Sequence, residues 1–183
     1  MTTKYITDVL KELNNDLSLF QTTYKKQGNG GPLGKLFFHA YVPNGKFILP
    51  SGIPPFKKAL EPQGLTGVPF IAQIGKFDIF CKKDIPMMKR EDAFIRMCEV
   101  LHPDEVAILI AVKDQTLPHL YPKLTYKVIA EAGFIPMVDN PPEVPPLEEK
   151  PLTRYQKLKM RRLARQQELE QKAAAEKAAS NTI

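Results

Sequence analysis

The chain has 183 residues, 43% of them hydrophobic and 25% charged, with 17 prolines, no tryptophan, two cysteines and a formal net charge of +6. That length sets one domain with room for an appendage and for a real core. No stretch nears the roughly 18 consecutive apolar residues of a membrane span, no apolar leader opens the chain, and two cysteines make no disulfide framework. Membrane insertion, secretion and a disulfide scaffold are therefore disfavoured, and a reducing compartment is the expected setting.

At the start of the chain, Ile6, Val9, Leu10, Leu13, Leu17, Phe20 and Tyr24 recur at steps of three and four, the stripe of an amphipathic helix. Asn14-Asn15-Asp16 predicts a split into two shorter helices, with Asp16 as an N-cap. Gly28-Asn29-Gly30-Gly31 ends this segment. Pro32 suits a first helical position, which predicts a short apolar helix through Tyr41. Residues 42–68 read as irregular, with a turn at Pro43-Asn44-Gly45 and a stiff extended connection over residues 49–56. Residues 70–80 are apolar and lean to helix. Residues 87–101 are the clearest amphipathic helix, with Phe94, Cys98 and Leu101 on one face and Asp92, Arg96 and Glu99 on another.

His102-Pro103-Asp104-Glu105 then carries a helix-start signal, with an early proline and acids in the first turn. Residues 106–112 are apolar all round. Their β-branched content suits a strand as well, and the start signal favours a central buried helix. Thr125 caps a last helix holding Val128, Ile129 and Ala132, which Gly133 ends. Six prolines within residues 136–152 make a semi-rigid spacer. Beyond it, Thr153 and Gln156 form a capping-box pattern ahead of a segment rich in strong helix formers. Its few large apolar residues make no heptad seam, so a solvated helix is expected. The expected fold class is mostly all-α: a helical domain over residues 1–135, a proline-rich linker over 136–152 and a basic helical tail over 153–183.

No pattern for chemistry survives close inspection. The Gly28–Lys35 stretch (GNGGPLGK) lacks a phosphate-loop's first glycine, because Asn29 stands there, and Leu36 replaces the magnesium-binding Ser or Thr. Cys98 and His102 sit four apart, yet Pro103 suggests a helix break at His102. Cys81, His39 and His119 add no diagnostic spacing. No catalytic residue, metal ligand or cofactor is assigned. An unrecognised enzyme stays as an alternative, because catalytic groups converge in space rather than in sequence.

Charge gives the functional signal. Residues 1–152 hold 18 Lys+Arg against 17 Asp+Glu, while residues 153–183 hold 8 against 3. Arg154, Lys157, Lys159, Arg161, Arg162 and Arg165 put six cations within twelve residues with no acid among them. Such a rod suits phosphate contacts, and Tyr155 can stack on a base or pack on the domain. A segment that folds on a protein partner is the competing reading. In the domain, the prolines around Leu49, Ile53, Pro54, Pro55 and Phe56 would present a loop to a protein partner at low entropy cost, or would close the core.

Two blocks carry a resemblance. One is Lys46-Phe47-Ile48-Leu49-Pro50-Ser51-Gly52-Ile53-Pro54-Pro55-Phe56-Lys57, similar to a "KFLLPEG-PPYK" stretch. The other, MKREDAFIRMCEVLHPDEVAILIAVKDQTLP over residues 88–118, looks like a helix pair joined at L-H-P with L-I-A-V-K-D following. Residues 123–132 fit the same pattern's closing helix. In these blocks the chain resembles a family of uncharacterised small helical proteins encoded by large contractile-tailed bacteriophages (myoviruses). The resemblance covers residues 40–136. Two departures are Thr116, where that family usually has a second basic residue, and a loose fit between Lys57 and Met87. It implies an all-helical domain and a phage origin, in host cytoplasm or virion, and carries over no functional residues. The resulting expectation is a non-enzymatic phage accessory protein. Its domain would bind a protein partner and its tail would touch nucleic acid or that partner. The alternative is a structural component of the head, neck or tail of the particle.

Overall fold

The computed structural model describes residues 5–25, 31–59, 69–137, 144–145 and 152–180, with side chains in the last segment described through Glu168 and at Glu170. The predicted glycine connection at residues 28–30 and most of the proline-rich linker lie outside the described residues. Among the described residues the structure is helical and contains no strand. In order come α1 (Ile6–Asn15), α2 (Leu19–Thr22), α3 (Pro32–Tyr41), α4 (Phe70–Ile74), α5 (Asp78–Cys81), α6 (Met87–Val100), α7 (Pro103–Asp114), α8 (Leu117–Leu120), α9 (Tyr126–Glu131) and α10 (Arg154–Ser180).

The expected split of the first helix is present, but Asp16 is not the N-cap: it closes α1 at its C-terminal end, and Ser18 stands at the N-cap of α2. Asp16 Oδ1 accepts the Ser18 N–H at 2.9 Å and the Ser18 hydroxyl at 2.7 Å. That side chain offers the backbone a turn in place of helix continuation. The 70–80 segment forms two short helices, α4 and α5, broken at Gly75-Lys76-Phe77. The helix α8 spans a single turn, too short to show a hydrophobic periodicity in the sequence.

Centrally placed, α7 packs against α1, α3, α6 and α8. It buries Val106, Ile108, Leu109, Ala111 and Val112, which explains why its sequence is apolar on every face. His102 caps it: Nδ1 accepts from the Asp104 N–H at 3.3 Å, and Glu105 Oε2 accepts from the His102 N–H at 3.3 Å. At the other end Gln115 takes a left-handed conformation (φ 57°), and the Thr116 N–H closes back on the Ala111 carbonyl at 2.8 Å. Thr125 caps α9 through Val128 N–H, with Gly133 at φ +82° after it. One ring cluster joins Phe47, Phe77, Phe80 and Phe94, and another joins Phe20, Phe37 and Phe134. Both belong to the core.

Candidate functional site

Three places collect polar side chains that the core does not require. The first is the base of the tail helix. Thr153 and Gln156 make the expected capping box: the Gln156 N–H donates to Thr153 Oγ1 at 3.2 Å, and the Thr153 N–H donates to Gln156 Oε1 at 3.0 Å. This box does not stand in water. The Thr153 hydroxyl donates to Glu91 Oε2 at 3.3 Å, and the Tyr155 hydroxyl donates to Asp92 Oδ1 at 3.2 Å. Lys159 Nζ lies 3.9 Å from the same Asp92 oxygen. Acids on α6 therefore face the positive end of the α10 dipole. Glu91 is 3% exposed, and burial raises its carboxyl above the usual range, opposed by the Thr153 hydrogen bond and by Arg90.

The tail is thus not wholly solvated, contrary to the sequence reading. Gln156 is 3% exposed and lines a small cavity with Leu49, Pro50, Pro54 and Glu91. Gln156, Lys159, Leu163, Gln166 and Glu170 follow at steps of three and four, the spacing of one helix face. Lys159 and Leu163 are half-buried, and Glu170 Oε1 lies 3.3 Å from Lys57 Nζ. This docked stripe is largely polar, so a search for apolar periodicity passes over it. Arg154, Lys157, Arg161 and Arg165 follow at steps of three, four and four on the opposite face, and all are exposed. Together with Arg162, they have no carboxylate within ion-pair distance among the described residues.

Between α10 and residues 57–59 lies an open cleft of about 610 Å³, lined by Lys57, Lys58, Ala59, Glu99, Lys159, Arg162, Leu163 and Gln166. On its wall the Lys57 N–H donates to Glu99 Oε1 at 3.5 Å. Among the described residues, four of the eight that line it are cations.

The second place is the proline loop. Lys113, nearly fully buried in the last turn of α7, donates from Nζ to the Pro50 carbonyl at 2.8 Å. Asp114 pairs with that ammonium at 2.5 Å and accepts the Gly52 N–H at 3.1 Å. Burial lowers the Lys113 pKa, and Asp114 opposes the shift. Gly52 sits at φ +88°, which the turn requires. So clamped, the loop buries Pro54 and Pro55 and half-buries Leu49 and Phe56, while Ile53 stands 68% exposed. Of the five loop residues expected to meet a partner, Ile53 alone is fully presented; the other four also close the core.

The third place brings together residues that spacing did not connect. Cys81 Sγ is 3.6 Å from His39 Nδ1, and His39 Nε2 is 3.5 Å from Asp78 Oδ1. A thiol, imidazole and carboxylate in that order invite a nucleophile reading. However, His39 Nδ1 lies 2.8 Å from the Gly45 carbonyl, which can only accept, so that nitrogen carries the proton. The thiol donates to the same carbonyl at 3.2 Å. Burial pushes Cys81 up to about 11 and lowers His39, so neither a thiolate nor an imidazolium is favoured. His39 is 2% exposed, and the trio works as a turn clamp around Gly45. Cys98 and His102, four apart in sequence, are held separately: Cys98 is in the core and His102 caps α7. Among the described residues no group of three or more His, Cys, Asp or Glu is placed to hold a metal ion, and no helix is long and apolar enough to cross a membrane.

No protein-family model, curated protein or solved structure matches this chain.

Proposed function

We propose that this chain is a non-enzymatic phage accessory protein whose basic helix contacts nucleic acid while its helical domain engages a protein partner. One observation carries the reading. The helix α10 is gripped along one polar face, which leaves Arg154, Lys157, Arg161 and Arg165 aligned on the other with no carboxylate within ion-pair distance among the described residues. At 1.5 Å per residue that row runs about 16 Å, long enough to meet several phosphates of one strand. Docking also lowers the ordering cost that a free basic tail would meet on binding.

The partner half of the reading rests on Ile53, an exposed β-branched residue ahead of two buried prolines on a clamped loop. Phage origin rests on the two resembling blocks, which meet where Lys113 and Asp114 grip Pro50 and Gly52. Leaving catalysis out of the reading rests on the Gly45 carbonyl, which keeps the proton on His39 Nδ1, so the nitrogen that faces the thiol has no lone pair free to take its proton.

The test is affinity for a labelled 20-nucleotide strand against salt concentration, for the chain and for a variant carrying Arg154→Gln, Lys157→Gln, Arg161→Gln and Arg165→Gln. Four lost phosphate contacts should flatten the log–log salt slope by roughly three. An unchanged slope, or no binding by the parent, removes the nucleic-acid reading. Recovery of the protein at fixed stoichiometry in purified particles would instead make it a structural component.

A further inference from the structure

We infer that the cleft between α10 and residues 57–59 is a second phosphodiester-binding surface, gated by the Lys57–Glu170 ion pair. The inference rests on the nucleic-acid reading above and goes further, because it adds domain residues and a competing internal anion to the site.

The argument starts from the charges that line the cleft. Lys57, Lys58, Lys159 and Arg162 face one space, with Glu99 the one acid among its described lining residues. Glu99 is turned to the loop backbone, accepting the Lys57 N–H. Lys159 is shared with Asp92 at a long 3.9 Å, and Lys58 and Arg162 have no carboxylate within ion-pair distance among the described residues. Like charges drawn to one open cleft repel each other, and a fold accepts that cost readily where an anion relieves it.

Glu170 reaches the edge of the cleft through two of its lining residues: its Oε1 lies 3.3 Å from Lys57 Nζ and accepts from Gln166 Nε2 at 3.2 Å. Lys57 and Glu170 are each about half exposed, so their pairing is weak and exchangeable. A phosphate entering the cleft offers Lys57 an equivalent anion and leaves Glu170 to water. In this arrangement Glu170 is a stand-in for phosphate at Lys57, and a strand replaces it. The outer row of cations and the cleft lie on different faces of the same helix. A strand can then contact both by crossing the helix, and the domain contributes to binding through its own lysines.

The test uses the full chain and a fluorescein-labelled 20-nucleotide strand, as DNA and as RNA, read by anisotropy between 50 and 300 mM salt. Lys57→Ala with Lys58→Ala should flatten the salt slope by roughly 1.4 to 1.8, two phosphate contacts' worth. Lys11→Ala with Lys127→Ala, the same charge loss on α1 and α9, should leave the slope within about 0.3. Glu170→Gln breaks the ion pair but keeps the lysine, and should tighten binding roughly twofold to threefold by removing the competing anion. If the cleft pair behaves like the α1/α9 pair, or Glu170→Gln weakens binding, the inference fails while tail binding stands. Absence of binding by the parent chain overturns both. A slope change with DNA but not RNA, or the reverse, supports the cleft and assigns its strand.

Discussion

The Tyr155 hydroxyl donates to Asp92 Oδ1 at 3.2 Å, fastening the second residue of the tail helix to the second turn of α6. The same carboxylate meets Lys159 one helical turn on, and Glu91 beside it takes the Thr153 hydroxyl. Two consecutive acids on a domain helix thereby orient a basic helix, and the orientation decides which cations face outward.

Removing the cap should loosen that grip. Thr153→Ala deletes both the capping oxygen and the donor to Glu91, which costs about 1 kcal/mol locally. Hydrogen exchange at the first-turn amides of α10 should accelerate roughly fivefold, and trypsin should cut sooner after Arg154 and Lys157. Exchange in α1, which takes no part in the cap, should stay unchanged.

The buried carboxyl of Glu91 gives the docking a pH dependence of known sign. Its folded pKa lies above the unfolded one, so the stability tied to its neutral form is fully present below the unfolded pKa and is lost as the pH rises through the folded value. Glu91→Gln should therefore melt at a higher temperature than the parent at pH 7. The gap should narrow as the pH falls toward about 4. Thermal melts at four or five pH values measure it.

Lys113 and Asp114 make a sharper case, because one partner is nearly fully buried. Asp114→Ala leaves an ammonium without its counter-charge and frees the Gly52 N–H, and should cost about 3 kcal/mol in urea unfolding. Lys113→Met replaces the stem with an apolar one of similar length and should cost far less, since desolvation of the charge vanishes with it.

Much of this fold was legible in the sequence because its signals were local. The Asn14-Asn15-Asp16 break, the His102-Pro103 start, the Thr125 and Thr153 caps and the all-apolar α7 each followed from side chains within a few residues. What stayed hidden was non-local. The grip on α10 uses Gln156 and Lys159, polar residues that carry no burial signal, and acids about sixty residues upstream. The trio of Cys81, His39 and Asp78 likewise joins α3 to α5. Its spacing of 42 residues between Cys81 and His39 matches no local pattern.

That trio has its own test at Gly45. A Cβ there would stand 2.7 Å from the Phe38 carbonyl oxygen and 2.8 Å from its ring, contacts that backbone must move to relieve. Gly45→Ala should cost about 1–3 kcal/mol. It should also raise the rate at which a disulfide reagent labels Cys81, since the displaced carbonyl no longer accepts the thiol proton. In the parent at pH 7.5, Cys81 should label far more slowly than a free thiol, its pKa being pushed up to about 11.

The most direct measurement is ultraviolet cross-linking of the full chain to a labelled single strand, with the adducts located by mass spectrometry. Adducts concentrated on residues 154–166, with a second group at 57–58, are the expected result. Adducts scattered over the domain, or none at all at a salt concentration where the protein is folded, would contradict a nucleic-acid role for the docked basic helix.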